Sequence, residues 1–142
     1  MAFTIKLAGI NIGVCASFLS SKNFCKDYIT NDAPQINVEI NATDIKAEDV
    51  ASDEKYSENY LETLAIYRKI ADALIDYDII LMHGSAVCVN GTCHILTGPS
   101  GAGKSTHAAL LKRYAPENTT IINDDKPLIK ISNTECEVFG TP

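Results

Sequence analysis

The sequence predicts an α/β fold, a mixed central sheet with flanking helices, on three observations. Two segments near the N-terminus alternate apolar and polar residues as strands do. An amphipathic helix follows them, and a glycine-rich loop then sits between an apolar strand and a second helix. The 142 residues, 46% of them hydrophobic, suffice for one compact domain and are too few for two comfortable ones. Within that domain, residues 1–78 form a small sheet plus the amphipathic helix, and residues 79–142 carry the glycine-rich loop.

The segments FTIKLAGINIGV (3–14) and PQINVEINA (34–42) read as strands by alternation and β-branched content. The polar run from Thr43 to Asn59 reads as a connection. From Ser57 to Tyr77, the residues Leu61, Leu64, Tyr67, Ala71, Leu74 and Ile75 recur at short helical steps and predict a helix whose stripe covers a sheet. Next, Asn90-Gly91 between two apolar runs predicts a two-residue hairpin with both turn residues at positive φ. The strand entering the glycine-rich loop should then pair antiparallel with the one before it. That register sets Val89 opposite Thr92 and Cys88 opposite Cys93, a cysteine pair near enough for oxidation, although cytosolic thiols ordinarily stay reduced.

Lys104 to Tyr114 reads as a helix with Lys112 and Arg113 in its last turn and Pro116 beyond it. TTIIN, PLIKI and CEVF read as short strands, the first running into Asp124 and Asp125 on a strand expected to neighbour the loop strand. With few elements after the loop, the sequence is expected to be a domain truncated at its C-terminus.

Composition narrows the function classes. Twelve basic against eighteen acidic residues leave a net charge of −6, which argues against a protein that tracks nucleic acid. The N-terminus has neither the apolar run of a signal peptide nor a membrane-spanning length, so a cytoplasmic location and no membrane partner are expected. Five cysteines without C-x-x-C spacing fit a reducing compartment. The sequons at Asn41, Asn90 and Asn118 would matter only outside the cell.

Chemistry concentrates in GPSGAGKS, residues 98–105, which fits the G-x-x-x-x-G-K-S phosphate-binding loop. Gly98, Gly101 and Gly103 let the backbone approach a pyrophosphate, and Pro99, Ser100, Ala102 and Thr106 complete the binding segment. The helix starting near Lys104 adds its positive end. Lys104 reaches the β and γ phosphates, and the Ser105 hydroxyl ligates Mg²⁺. ATP and Mg²⁺ are therefore the expected ligands. Asp124 and Asp125 divide the remaining work, one orienting the metal and one accepting a proton from an attacking hydroxyl; as NDDKP the pair also reads as a solvated turn. His83, beside Gly84, is by itself compatible with a turn, a core residue or a phosphate-facing group. His94 and His107 read as structural or surface residues. Tyr56, Tyr60, Tyr67 and Tyr77 read as packing.

The order LMHGSAV, NG, HILTGPSGAGKSTHAALL, IINDD resembles the HPr kinase/phosphorylase family, specifically its C-terminal catalytic domain, whose fold is related to ATP-dependent phosphoenolpyruvate carboxykinase. The resemblance covers residues 79 to 131. It implies a P-loop kinase domain in which Gly98 to Ser105 binds ATP, Lys104 contacts the transferred phosphate and Ser105 helps hold Mg²⁺; of the aspartates, Asp124 is the one expected to join Ser105 on the metal. It also implies that His83 belongs to the active site and that Asp125 is the base toward a serine hydroxyl on a small protein or peptide. Family members often form hexamers, so a homo-oligomer is possible. Thr106 and His107 stand where the family typically has Glu-Thr, a departure that weighs against the reverse, phosphorylase activity. Two rival classes share the loop, a small-molecule kinase and a non-catalytic ATP sensor. An ABC-type ATPase fits less well, because no LSGGQ signature follows.

Overall fold

A computed structural model describes residues 1–52 and 54–142 of a mixed α/β chain. Among the described residues it has four α-helices and three sheets, and none of its helices is long and apolar enough to cross a membrane. The chain divides into two compact units, Met1–Asp76 with Pro142, and Tyr77–Thr141.

In the first unit, the predicted strand 3–14 is a hairpin. β1 (Ala2–Leu7) and β2 (Ile10–Cys15) pair antiparallel, joined by Ala8 and Gly9 at φ 47° and 85°. β3 (Ile29–Thr30) and β4 (Ile36–Glu39) complete a four-stranded sheet in the order β3-β1-β2-β4, with β2 and β4 parallel. Alternation holds: Phe3, Ile5, Leu7, Ile10, Ile12 and Val14 are buried. A short α1 (Leu19–Phe24) precedes β3. The polar run expected to be a connection contains a helix, α2 (Ala42–Ala51). Asn41 caps it by accepting from the N–H groups of Thr43 and Asp44, while Asp44 accepts from the Asn41 N–H.

The long helix α3 (Glu58–Leu74) forms as predicted, but its buried stripe is rotated. Ala65, Ile66 and Ile70 lie inside with Leu61 and Leu74, whereas Ile75 is exposed. The rotation reflects packing on three elements, α1, α2 and β4, which together cover a wider arc than a single sheet face. It also buries Glu62 completely.

The second unit contains the site. β5 (Ile79–Leu81) pairs antiparallel with β9 (Leu128–Ile131), and β10 (Cys136–Phe139) pairs with β9 on the other side. β6 (Ser85–Val89) pairs antiparallel with both β7 (Thr92–Leu96) and β8 (Thr119–Asn123). The Asn90-Gly91 hairpin has the predicted register, with φ 51° and 81° at the turn. α4 (Lys104–Tyr114) packs on β6 and β8 through the buried Ala108.

Two expectations are corrected here. Among the described residues there is no single central mixed sheet: the mixed sheet is the N-terminal one, and both sheets of this unit are antiparallel. Nor does β8 neighbour the loop strand β7, because β6 lies between them. Since β7 and β8 are each antiparallel to β6, they run parallel to each other. The carboxyl end of β8, which leads into the two aspartates, therefore still faces the same edge as the glycine-rich loop.

Candidate functional site

The site forms where two strands break together. β5 and β6 are separated by Met82-His83-Gly84, and β8 and β9 by Asp124 to Pro127. The two segments stay in antiparallel register across the break: Met82 N–H donates to Pro127 O at 3.0 Å and Gly84 N–H to Asp125 O at 2.8 Å. His83 is thereby fixed beside Asp125, with Nε2 3.4 Å from Oδ1. Gly84 is required by a close approach, since a Cβ there would sit 2.9 Å from the carbonyl oxygen of Leu96, the last residue of β7.

From Leu96 the chain enters the loop. Gly101 and Gly103 have φ 78° and 84°, in the left-handed region that glycine favours. A Cβ at either would touch nothing within 4 Å, so angle rather than space requires glycine at both positions. Gly103 starts α4, whose first turn has neither an acidic residue nor a side-chain cap. Its leading N–H groups therefore have no carboxylate of their own turn as a partner, the arrangement that suits an anion. Lys104 folds back over the loop, its ammonium donating to Gly98 O at 3.0 Å and Pro99 O at 3.2 Å.

Opposite the loop, the aspartates are held by groups that sequence reasoning did not single out. The buried Ser85 hydroxyl donates to Asp124 Oδ1 at 2.8 Å, with Asp124 O 3.1 Å away. Asn123 Oδ1 accepts from the N–H groups of Asp125 and Lys126, at 3.0 and 2.8 Å, which is the turn that NDDKP suggested. Asn123 Nδ2 donates to Thr141, whose hydroxyl donates to Lys126 O at 2.9 Å. Lys126 Nζ lies 2.5 Å from Asp125 Oδ2. Asn123 was legible as an Asx-turn former; Thr141 carries no sequence signal, because its contact is 18 residues away along the chain.

His83, Ser100, Gly101, Gly103, Lys104, Ser105, Thr106, Asp124 and Asp125 line one open cleft of about 380 Å³. Gly98, Pro99 and Ala102 belong to the loop but do not line it. Among the described residues no cluster of three or more His, Cys, Asp or Glu side chains is gathered as a metal site. A hard cation here would take Ser105 and Asp124 and draw its remaining oxygens from phosphate and water, the manner in which Mg²⁺ is commonly held. His94 is exposed on β7 and His107 on α4, as their surface reading requires. The chain matches no protein-family model and no curated protein.

Proposed function

We propose that the unit Tyr77–Thr141 binds ATP with Mg²⁺ and transfers its γ-phosphoryl group to a serine hydroxyl of a small protein or peptide. On this reading it is a P-loop kinase of the HPr kinase and phosphoenolpyruvate carboxykinase type, acting in the cytoplasm. One observation carries the proposal: the loop residues Lys104 and Ser105 share a single cleft with His83, Asp124 and Asp125, although these come from three separate stretches of sequence.

The residues fit the ligands. Loop amides, the α4 N-terminus and the Lys104 ammonium supply positive potential for the phosphates. Ser105 and Asp124 would hold Mg²⁺, which neutralises charge on the transferring group when bound. Ser85 fixes the Asp124 carboxylate. Asp125 accepts the proton of the attacking serine hydroxyl, and His83 and Lys126 hold that carboxylate in place.

A non-catalytic ATP sensor is the second reading, and the pairing of Asp125 with Lys126 favours it, because a carboxylate oxygen already held by an ammonium must break that contact before it can receive a hydroxyl. Label transfer from γ-labelled ATP and Mg²⁺ to a serine-containing peptide pool separates the two, using wild type and Asp125→Asn. Peptide labelling that the variant loses supports the kinase; nucleotide binding without transfer to any acceptor favours the sensor.

A further inference from the structure

Cys88 and Cys93 face each other across the β6–β7 hairpin. We propose that they form a reversible disulfide modification site, oxidised by a low-molecular-weight disulfide such as glutathione disulfide. The proposal is independent of the phosphoryl-transfer reading.

The hairpin geometry carries it. Around a two-residue turn the flanking pair, here Val89 and Thr92, exchanges both backbone hydrogen bonds, and the next pair is of the non-hydrogen-bonded class. Residues opposite each other in that class have Cα atoms about 4.5 Å apart, inside the range of roughly 4.4–6.8 Å that a disulfide spans. Asn90 and Gly91, both at positive φ, pin the register, and a slip of one residue would move one thiol to the opposite face. Both cysteines are free and half-buried. Cys93 lies on an edge strand of its sheet, where strand pairing covers it from one side only.

The remaining cysteines lack this arrangement. Cys15 is paired with Ala2 and Glu39, Cys136 with Ile131, and Cys25 is completely buried. Burial, with Cys88 beside it, raises the pKa of the Cys93 thiol, so Cys93 rests protonated and its attack on a disulfide speeds up as pH rises.

The chemistry balances without a metal. One cysteine thiol releases its proton to water, and the thiolate attacks glutathione disulfide to give a mixed disulfide and one glutathione thiolate. The second cysteine loses its proton and displaces the second glutathione thiolate, closing the Cys88–Cys93 bond. Two protein thiols are oxidised and one small disulfide is reduced to two thiols. The second step is intramolecular between preplaced groups, which favours closure over a lasting adduct.

The test incubates the full chain with glutathione disulfide, quenches with an alkylating agent, and reads intact mass and the map of alkylated residues. We expect a loss of two hydrogens, protection of Cys88 and Cys93 from alkylation, and reversal by dithiothreitol. Cys88→Ser and Cys93→Ser should each lose the two-hydrogen change and retain a stable glutathione adduct on the remaining partner. Cys15→Ser and Cys136→Ser should keep it. The proposal fails if both thiols of folded wild type stay alkylatable while other cysteines react, if each carries its own glutathione, or if the bond maps elsewhere. The wild-type map decides even where a variant folds poorly.

Discussion

Asp125 is held between two basic side chains, His83 Nε2 at 3.4 Å from Oδ1 and Lys126 Nζ at 2.5 Å from Oδ2. The carboxylate is thereby fixed in direction while remaining mostly exposed. On the proposed reading Oδ1, with the longer contact, exchanges its partner for the incoming hydroxyl. Replacing Asp125 by Asn keeps the size and removes the proton acceptor. We expect Asp125→Asn to lower label transfer by about 10²- to 10⁴-fold, the range of general-base catalysis, and to leave ATP affinity unchanged. Single-turnover transfer and equilibrium nucleotide titration check both halves, and full transfer in the variant would refute the base assignment.

Among the described residues the Lys104 ammonium donates to carbonyl oxygens of its own loop alone, Gly98 and Pro99, and so ties no distant element to the loop. On the proposed reading its ammonium leaves these carbonyls for the phosphates. Charge-assisted hydrogen bonds of this kind are worth about 1.5–3 kcal/mol. We therefore expect Lys104→Ala to weaken ATP binding by roughly ten- to a hundredfold, with the melting temperature close to that of wild type. Titration with a fluorescent ATP analogue reads the first effect and a thermal melt the second. Unchanged affinity would remove Lys104 from the site.

Gly84 and Gly101 are both glycines of the site, required for different reasons. At Gly84 a methyl group meets the Leu96 carbonyl at 2.9 Å, and two backbone segments must part. We expect Gly84→Ala to cost about 1–3 kcal/mol, as overpacking does, and to displace the strand that leads into the loop. At Gly101 there is open space and φ is 78°, so Gly101→Ala should cost roughly 1–2 kcal/mol from backbone strain alone. Urea denaturation gives both values. On the proposed reading nucleotide affinity separates them further, because Gly101 lies in the glycine-rich loop itself and Gly84 does not.

The site was more legible in the sequence than the scaffold that holds it, and the reason is the range of the interactions. The loop, the hairpin turn and the NDDKP turn are made by residues a few positions apart, so spacing alone specifies them. Helix α2 was hidden because its polar sequence presents no apolar stripe, although Asn41 and Asp44 form a capping box that a search for caps would have found. The rotation of α3 was not readable either: which face is inward depends on α1, α2 and β4 together. Ser85 and Thr141 hold Asp124 and Asn123 through contacts 39 and 18 residues distant in sequence, and no local pattern encodes such pairs.

Glu62 is the clearest product of that rotation. Its carboxylate is fully buried and accepts from Ser17 N–H at 2.6 Å, Phe18 N–H at 3.0 Å and the Ser21 hydroxyl at 2.5 Å, so it ties the start of α1 to α3. An amide in its place offers one acceptor and turns an NH₂ toward a donor. We expect Glu62→Gln to destabilise the first unit by about 1.5–3 kcal/mol, the worth of a hydrogen bond to a charged group. Urea unfolding measures it, and a variant as stable as wild type would show that the buried charge contributes nothing net.

Cys25, buried in the same unit, sets a pH dependence whose sign can be worked out. Burial pushes its thiol up to about 11 from an ordinary 9.0. Between pH 9 and pH 11 the unfolded chain releases this proton while the folded chain keeps it. The unfolded state then binds fewer protons, so stability falls as pH rises across that window and is fully present below it. Tyr28, raised by burial and by Asp27, acts in the same direction, so wild type alone does not isolate the thiol. The difference between wild type and Cys25→Ala does: urea midpoints measured across this window should decline more steeply for wild type. Parallel curves would assign the alkaline loss to other groups and leave Cys25 with a packing role only.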